Sequence, residues 1–186
     1  MQDFSSSRRG FLLGAVAAPI ALSVVACARA ADKAAPLSPD VEIETFSASG
    51  VSTGLVRVAR VVKTDEDWRK QLSALSFQVT RKAGTERPFT GEYTDNHADG
   101  VYRCICCDTT LFDSKNKFDS GTGWPSFWKP LSSVNVAESA GGSRMWGTEV
   151  HCLRCNGHLG HVFDDGPRPT GLRYCINSVS INFKAR

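Results

Sequence analysis

The stretch GLRYCINSVSINF (171–183) decides the fold class. In it Val179, Ile181 and Phe183 alternate with Ser178, Ser180 and Asn182, the pattern of a strand with one face buried. Arg173, Cys175 and Asn177 fall on one face of the same extended segment, because strand side chains repeat every second residue. Working upstream, runs of similar character at 101–104, 134–138, 145–151 and 159–163 are separated by Gly, Pro, Asn, Asp and Ser. Before Pro88 the character changes. Residues 55–62 (LVRVARVV) suit a strand by their β-branched content. Thr64 then caps an acidic first turn (Asp65, Glu66, Asp67), and Trp68, Leu72 and Leu75 follow at helical spacing. A second short helix includes residues 77–82 and ends at Gly84. The expectation is a mainly β domain, with two small helices beside an antiparallel core.

The chain has 186 residues, enough for one globular domain and an appendage, and its net charge is only +3. Much of that excess comes from Arg8, Arg9 and Arg29 near the N-terminus. No basic stripe is left to neutralise a phosphate backbone, so nucleic acid is excluded as a partner. Small molecules or exposed protein side chains fit better. Residues 1–30 read as an address. Ser7-Arg8-Arg9-Gly10-Phe11-Leu12-Leu13 precedes a mildly apolar run broken by Pro19, the order of a twin-arginine secretory signal. Two endings compete: Ala28-Arg29-Ala30 resembles a cleavage site, and Val24-Val25-Ala26-Cys27 a lipoprotein box, with the signal ending at Ala26. An uncleaved anchor is the third reading. The expected location is exported and periplasmic, with Cys27 or the signal itself as a membrane tether. Residues 31–53, rich in Ala, Pro, Ser and Gly, are expected to be a linker with little structure, and 54–186 the working domain.

Four of the seven cysteines form two pairs, Cys104-x-x-Cys107 and Cys152-x-x-Cys155. Each turn sets two thiolates on one side of a tight loop, and two such turns complete a tetrahedron around zinc with no open position. One structural zinc is therefore expected. Plain disulfides or redox-active pairs are the competing reading in an exported protein. Export of an already folded chain would let the metal be loaded first. Cys106 reads as a small buried residue, though it could replace a neighbour as ligand.

Cys175 stands apart from both pairs. Arg173 on its face would lower the thiol pKa and enrich the thiolate that attacks. His158 and His161 lie three residues apart, followed by Asp165, and a carboxylate beside an imidazole can fix its tautomer. Gly121-Thr122-Gly123-Trp124-Pro125-Ser126-Phe127-Trp128 forms a rigid turn presenting aromatics, as core or as a pocket wall.

Together TERPFTGEYTDNHADGVYRC (85–104), FDSGTGWPSFW (118–128), GTEVHCLRCNGHLGHVFDDGP (147–167) and GLRYCINSVSINF (171–183) resemble the methionine-R-sulfoxide reductases, the B family, from about residue 62 onward. That resemblance implies two antiparallel sheets in a β-tent-like arrangement, zinc on Cys104, Cys107, Cys152 and Cys155, and Cys175 as the nucleophile. It also implies that His158, His161 and Asn177 bind and activate the sulfoxide oxygen, with Asp165 and Arg173 in support and Trp124 against the substrate methyl group. The implied activity is reduction of the R epimer of methionine sulfoxide in oxidised proteins or peptides, by a monomer served by a thioredoxin-like donor. Cys175 would pass through a sulfenic acid. This chain departs from many relatives at Thr122, where they carry a resolving cysteine, so recycling would use direct reduction of the sulfenic acid or Cys106. It also has Gly147 where relatives more often have arginine. The rival readings are a zinc-stabilised β domain that only binds a ligand or partner, and a disulfide-exchange protein.

Overall fold

The computed structural model of the chain describes residues 38–139, 142 and 145–186. The signal segment 1–30, Cys27 and the first part of the expected linker lie outside the described residues. Among the described residues there are eleven strands and two α-helices: β1 Asp40–Phe46, β2 Ser52–Ala59, α1 Asp65–Gln71, α2 Ala74–Lys82, β3 Gly100–Cys104, β4 Thr110–Asp113, β5 Lys117–Phe118, β6 Ser126–Phe127, β7 Val136–Glu138, β8 Thr148–Cys152, β9 His158–Phe163, β10 Arg173–Ile176 and β11 Ile181–Ala185. All strand pairs are antiparallel. The fold is mainly β, as expected. Its two principal sheets are six strands in the order β5-β6-β10-β9-β8-β7 and three strands in the order β11-β3-β4, with the β1–β2 hairpin added.

The sheets are joined through aromatic rings. Phe127 on β6 stacks on Phe112 of β4 at 4.5 Å between centroids and meets Tyr102 of β3 edge-on at 5.1 Å. Such pairs add to the burial of the rings themselves. Phe127, from the Gly-rich turn, is therefore core. α1 begins as the sequence indicated, with the Thr64 hydroxyl accepting the Asp67 amide. Its buried residue is Trp68, 1% exposed. The helical run breaks at Ser73, which caps α2, so Leu75 faces solvent at 50% exposure rather than continuing the apolar stripe. α2 packs on β9 and on a 3₁₀ turn at Ser178–Ser180. Its left-handed C-cap is Ala83, one residue before the expected Gly84. No helix among the described residues is long and apolar enough to cross a membrane.

Two expectations are corrected. Within the linker expected over 31–53, residues 40–46 are strand. Val41 and Ile43 are buried and alternate with Asp40 and Glu42, a local signal that the small-residue composition around it conceals. Buried Asn135 pins this strand: its Oδ1 accepts the Glu44 amide and its Nδ2 donates to the Glu44 and Thr110 carbonyls, each at 2.8 Å. The strand expected over 178–183 starts only at Ile181. Ser178 and Ser180 are buried and Val179 is only half-buried, the reverse of the expected alternation.

The cause of that reversal is Glu86, a buried carboxylate. It accepts the amides of Ser178 at 2.6 Å and Val179 at 3.0 Å and so holds the chain in a 3₁₀ turn. The Glu86 amide in turn donates to Asn177 Oδ1 at 3.0 Å, and the Glu86 carbonyl accepts Trp124 Nε1 at 3.2 Å. One residue thus holds two segments that converge on the cavity described below. Burial pushes its carboxyl up, opposed by the two amide bonds. Glu86→Ala strands two amides in the interior, so urea unfolding should show a loss of about 2–4 kcal/mol. A loss under about 0.5 kcal/mol, the range of an ordinary surface change, would contradict this assignment.

Candidate active site and metal centre

The two Cys-x-x-Cys turns are built alike. Cys104 ends β3, and the Asp108 amide returns to its carbonyl at 2.9 Å; Cys152 ends β8, and the Asn156 amide returns to its carbonyl at 2.9 Å. Asp108 and Asn156 are both left-handed (φ 60° and 54°), the conformation that Asp and Asn tolerate best among side-chain-bearing residues. This repeated turn projects the sulfurs of Cys104, Cys107, Cys152 and Cys155 to within 4.8 Å of one another. Cys104 and Cys155 Sγ are 3.6 Å apart, and Cys107 and Cys152 Sγ 3.5 Å. A tetrahedron with metal–sulfur bonds of ~2.3 Å has edges of ~3.8 Å, so the four sulfurs could hold a metal ion with little movement. The six described cysteines are free thiols, and Cys106 is buried.

Cys175 lies on β10, between β6 and β9. It pairs with Ser126 on one side and with His161 on the other. Gly160 allows that approach, since a Cβ there would collide with the Cys175 carbonyl oxygen. The face carrying Cys175 opens on a cavity of about 260 Å³. Trp124, His161, Phe163, Asn177 and the 74%-exposed Trp146 share its wall. Thr122 Oγ1 is 3.8 Å from the Cys175 sulfur, and Ser120 bridges Thr122 and Ser126 at 2.8 and 2.7 Å. The site therefore combines a half-buried thiol, an imidazole, a carboxamide and an indole around a space of side-chain size.

Residues 72–185 match the family described as "SelR domain". The protein named "Peptide methionine sulfoxide reductase MsrB" in Hahella chejuensis (strain KCTC 2396) is 55% identical over 125 residues, 67% of this chain and 90% of that protein. Its namesake in Thioalkalivibrio sulfidiphilus (strain HL-EbGR7) is 58% identical over 123 residues, 66% and 90% of the two chains. "Peptide methionine sulfoxide reductase B1, chloroplastic" of Oryza sativa subsp. japonica is 56% identical over 122 residues, 65% and 57% of the two. The chain belongs to the SelR family, the methionine sulfoxide reductases of the B type.

In this reductase the structure brings Cys175, His161, Asn177 and Trp124 together on one cavity. His158 stands behind them. It is buried, 3% exposed, and its ring meets that of His161 edge-on at 5.3 Å. Asn177 is fixed by its bonds to Glu86 and by Nδ2 donating to the Leu159 carbonyl at 3.1 Å. Arg173 shares the Cys175 face as expected. Asp165 is not the carboxylate beside the histidines: it forms a two-pronged pair with Arg173, both bonds at 2.8 Å, and so orients the guanidinium. The carboxylate on the imidazole is Glu149, whose Oε1 is 2.8 Å from His158 Nδ1 while Oε2 accepts the Ser139 hydroxyl at 3.0 Å. Sequence reasoning missed Glu149 and Glu86 because each acts on a segment brought to it only by folding. The alternation of Glu149 opposite His161 on the β8–β9 pair was the available signal. Gly147 has φ +71°, and a Cβ there would sit 2.8 Å from the Val162 carbonyl, so a larger residue needs a different local backbone.

Electrostatics set the thiol. Burial pushes the Cys175 thiol up from its ordinary value, and this outweighs the stabilisation of the thiolate by Thr122 and Arg173. Arg173 acts in the direction the sequence indicated, but burial prevails. Burial likewise pushes His161 down, helped by His158 and opposed by Glu149. Glu149 is pulled below the usual carboxylate range: burial raises it, but the bonds from His158 and Ser139 prevail. For a thiol, removing a neighbouring cation disfavours the anion and raises the pKa further. Arg173→Met should therefore slow iodoacetamide alkylation of Cys175 at pH 7 by roughly three- to tenfold and shift its pH profile upward. An unchanged profile would show that the guanidinium does not act on the sulfur.

Proposed function

We propose that the chain reduces the R epimer of methionine sulfoxide in oxidised proteins and peptides, with Cys175 as nucleophile. The observation that carries this reading is the sharing of one cavity by Cys175, His161, Asn177 and Trp124. A sulfoxide sulfur resists attack until its oxygen is hydrogen-bonded or protonated. A thiolate beside an imidazole and a carboxamide supplies both requirements. The Cys175 thiolate adds to the sulfoxide sulfur as the oxygen takes a proton. The sulfoxide sulfur is reduced from sulfoxide to thioether, and the oxygen passes to Cys175 as a sulfenic acid, so the cysteine sulfur is oxidised by two electrons. Trp124 offers an apolar surface to the substrate methyl group.

Recycling follows from Thr122. With a hydroxyl rather than a thiol beside Cys175, the sulfenic acid meets an external dithiol of the thioredoxin type. One donor thiol displaces water and forms a mixed disulfide; the second releases Cys175 as thiol and leaves the donor oxidised. Cys104, Cys107, Cys152 and Cys155 would hold one zinc ion whose role is to fasten the fold. Arg8 and Arg9 with the apolar run behind them support export to the periplasm, with Cys27 either lipidated or lost with the signal. The proposed working unit is one chain.

Cys175→Ser should abolish turnover of a methionine sulfoxide peptide with a thiol donor while leaving one zinc per chain by metal analysis. Retained turnover would refute the nucleophile assignment. One equivalent of substrate without donor should leave Cys175 one oxygen atom heavier by mass spectrometry. A Cys106–Cys175 disulfide found instead would overturn the recycling route.

A further inference from the structure

His158 is an imidazole with one side assigned and the other open. Nδ1 lies 2.8 Å from Glu149 Oε1, whereas Nε2 is buried and has no hydrogen-bond partner among the described residues. A buried nitrogen left unpaired is costly and calls for an explanation. Its carboxylate neighbour is itself held, since Ser139 donates to the other oxygen at 3.0 Å. A carboxylate in van der Waals reach of two ring nitrogens could choose either, but this one is anchored on β8 and faces Nδ1 only. Neutral His158 must therefore carry its proton on Nδ1, leaving Nε2 as the lone-pair nitrogen.

We propose that Glu149 is a positioning residue for sulfoxide reduction: it holds His158 in the Nδ1–H form and fixes the ring on which His161 packs. The inference rests on the function proposed above and deepens it by naming what sets the imidazole pair at the cavity. His161 lines the cavity and the His158 ring meets it edge-on, so a change in the His158 ring passes to the wall through one contact. The remaining titratable or charged groups around the pair are His161 on the same strand and His151 on β8, with Arg60 beyond His151. Glu149 acts through His158 and has no direct part in bond making.

The test uses the zinc-loaded protein and the variants Glu149→Gln and Glu149→Asp. Glutamine keeps an acceptor for Nδ1 but removes the charge; aspartate keeps the charge. E149Q should lower kcat about tenfold with KM little changed, a fraction of what a positioned general acid contributes. E149D should keep kcat near the wild-type value. If E149D loses as much kcat as E149Q, or E149Q keeps wild-type kcat, the assignment is overturned. Nitrogen-15 spectra of the wild-type imidazoles give an independent reading that does not depend on turnover. They should place the neutral His158 proton on Nδ1, and a proton on Nε2 would contradict the proposal even if E149Q failed to fold. A wild-type chain inactive on methionine sulfoxide would instead sink the function proposed above, leaving the tautomer to be judged by the spectra.

Discussion

Strand β10 is hydrogen-bonded along both edges, to β6 on one side and β9 on the other. A strand held in this way cannot slip by one residue without turning Cys175 into the core and Tyr174 out of it. That register places the thiol opposite Ser126 and His161, keeps Arg173 on the same face, and brings the turn containing Thr122 and Trp124 against the sulfur. Gly160 is the local requirement, because only a residue without Cβ allows the Cys175 carbonyl so close. The cost of the arrangement is a thiol partly removed from water, whose proton is held more tightly than in a free thiol.

The sulfur cluster belongs to the same architecture. Cys104 closes a strand of the three-stranded sheet and Cys152 a strand of the six-stranded sheet. A metal held by the two turns would couple sheets already joined by the Phe112–Phe127 stack. Glu86 makes a comparable link by hydrogen bonds, between the segment before Trp124's turn and the segment after Cys175. The cavity is thus framed by elements that are fastened to one another at points distant in sequence.

How far this was legible follows from the range of each interaction. The cysteine pairs and the Arg173–Cys175 face are local patterns, and the structure places them as their spacing implies; of the two histidines, His161 lines the cavity and His158 is buried behind it. The strand at 40–46 was hidden because its alternating valine and isoleucine lie among small residues that suggest a tether. The alternation over 178–183 misled in the opposite sense, because Glu86 captures two amides there and turns the chain. Asp165 was placed near the histidines by proximity in sequence, yet Arg173 is its partner in space. Glu149 was overlooked because its imidazole is brought to it only by the β8–β9 pairing. In the last three cases the missing information was a polar partner brought close only by folding.

The central claim is that a sulfoxide enters the cavity with its sulfur toward position 175 and its oxygen toward the imidazole–carboxamide side. The most direct measurement is a crystal structure of the Cys175→Ser variant soaked with a peptide bearing the R epimer. The account predicts the methyl group against Trp124 and the oxygen within about 3 Å of a polar side-chain atom of His161 or Asn177. A peptide seated elsewhere, or one whose oxygen points to open water, would contradict it.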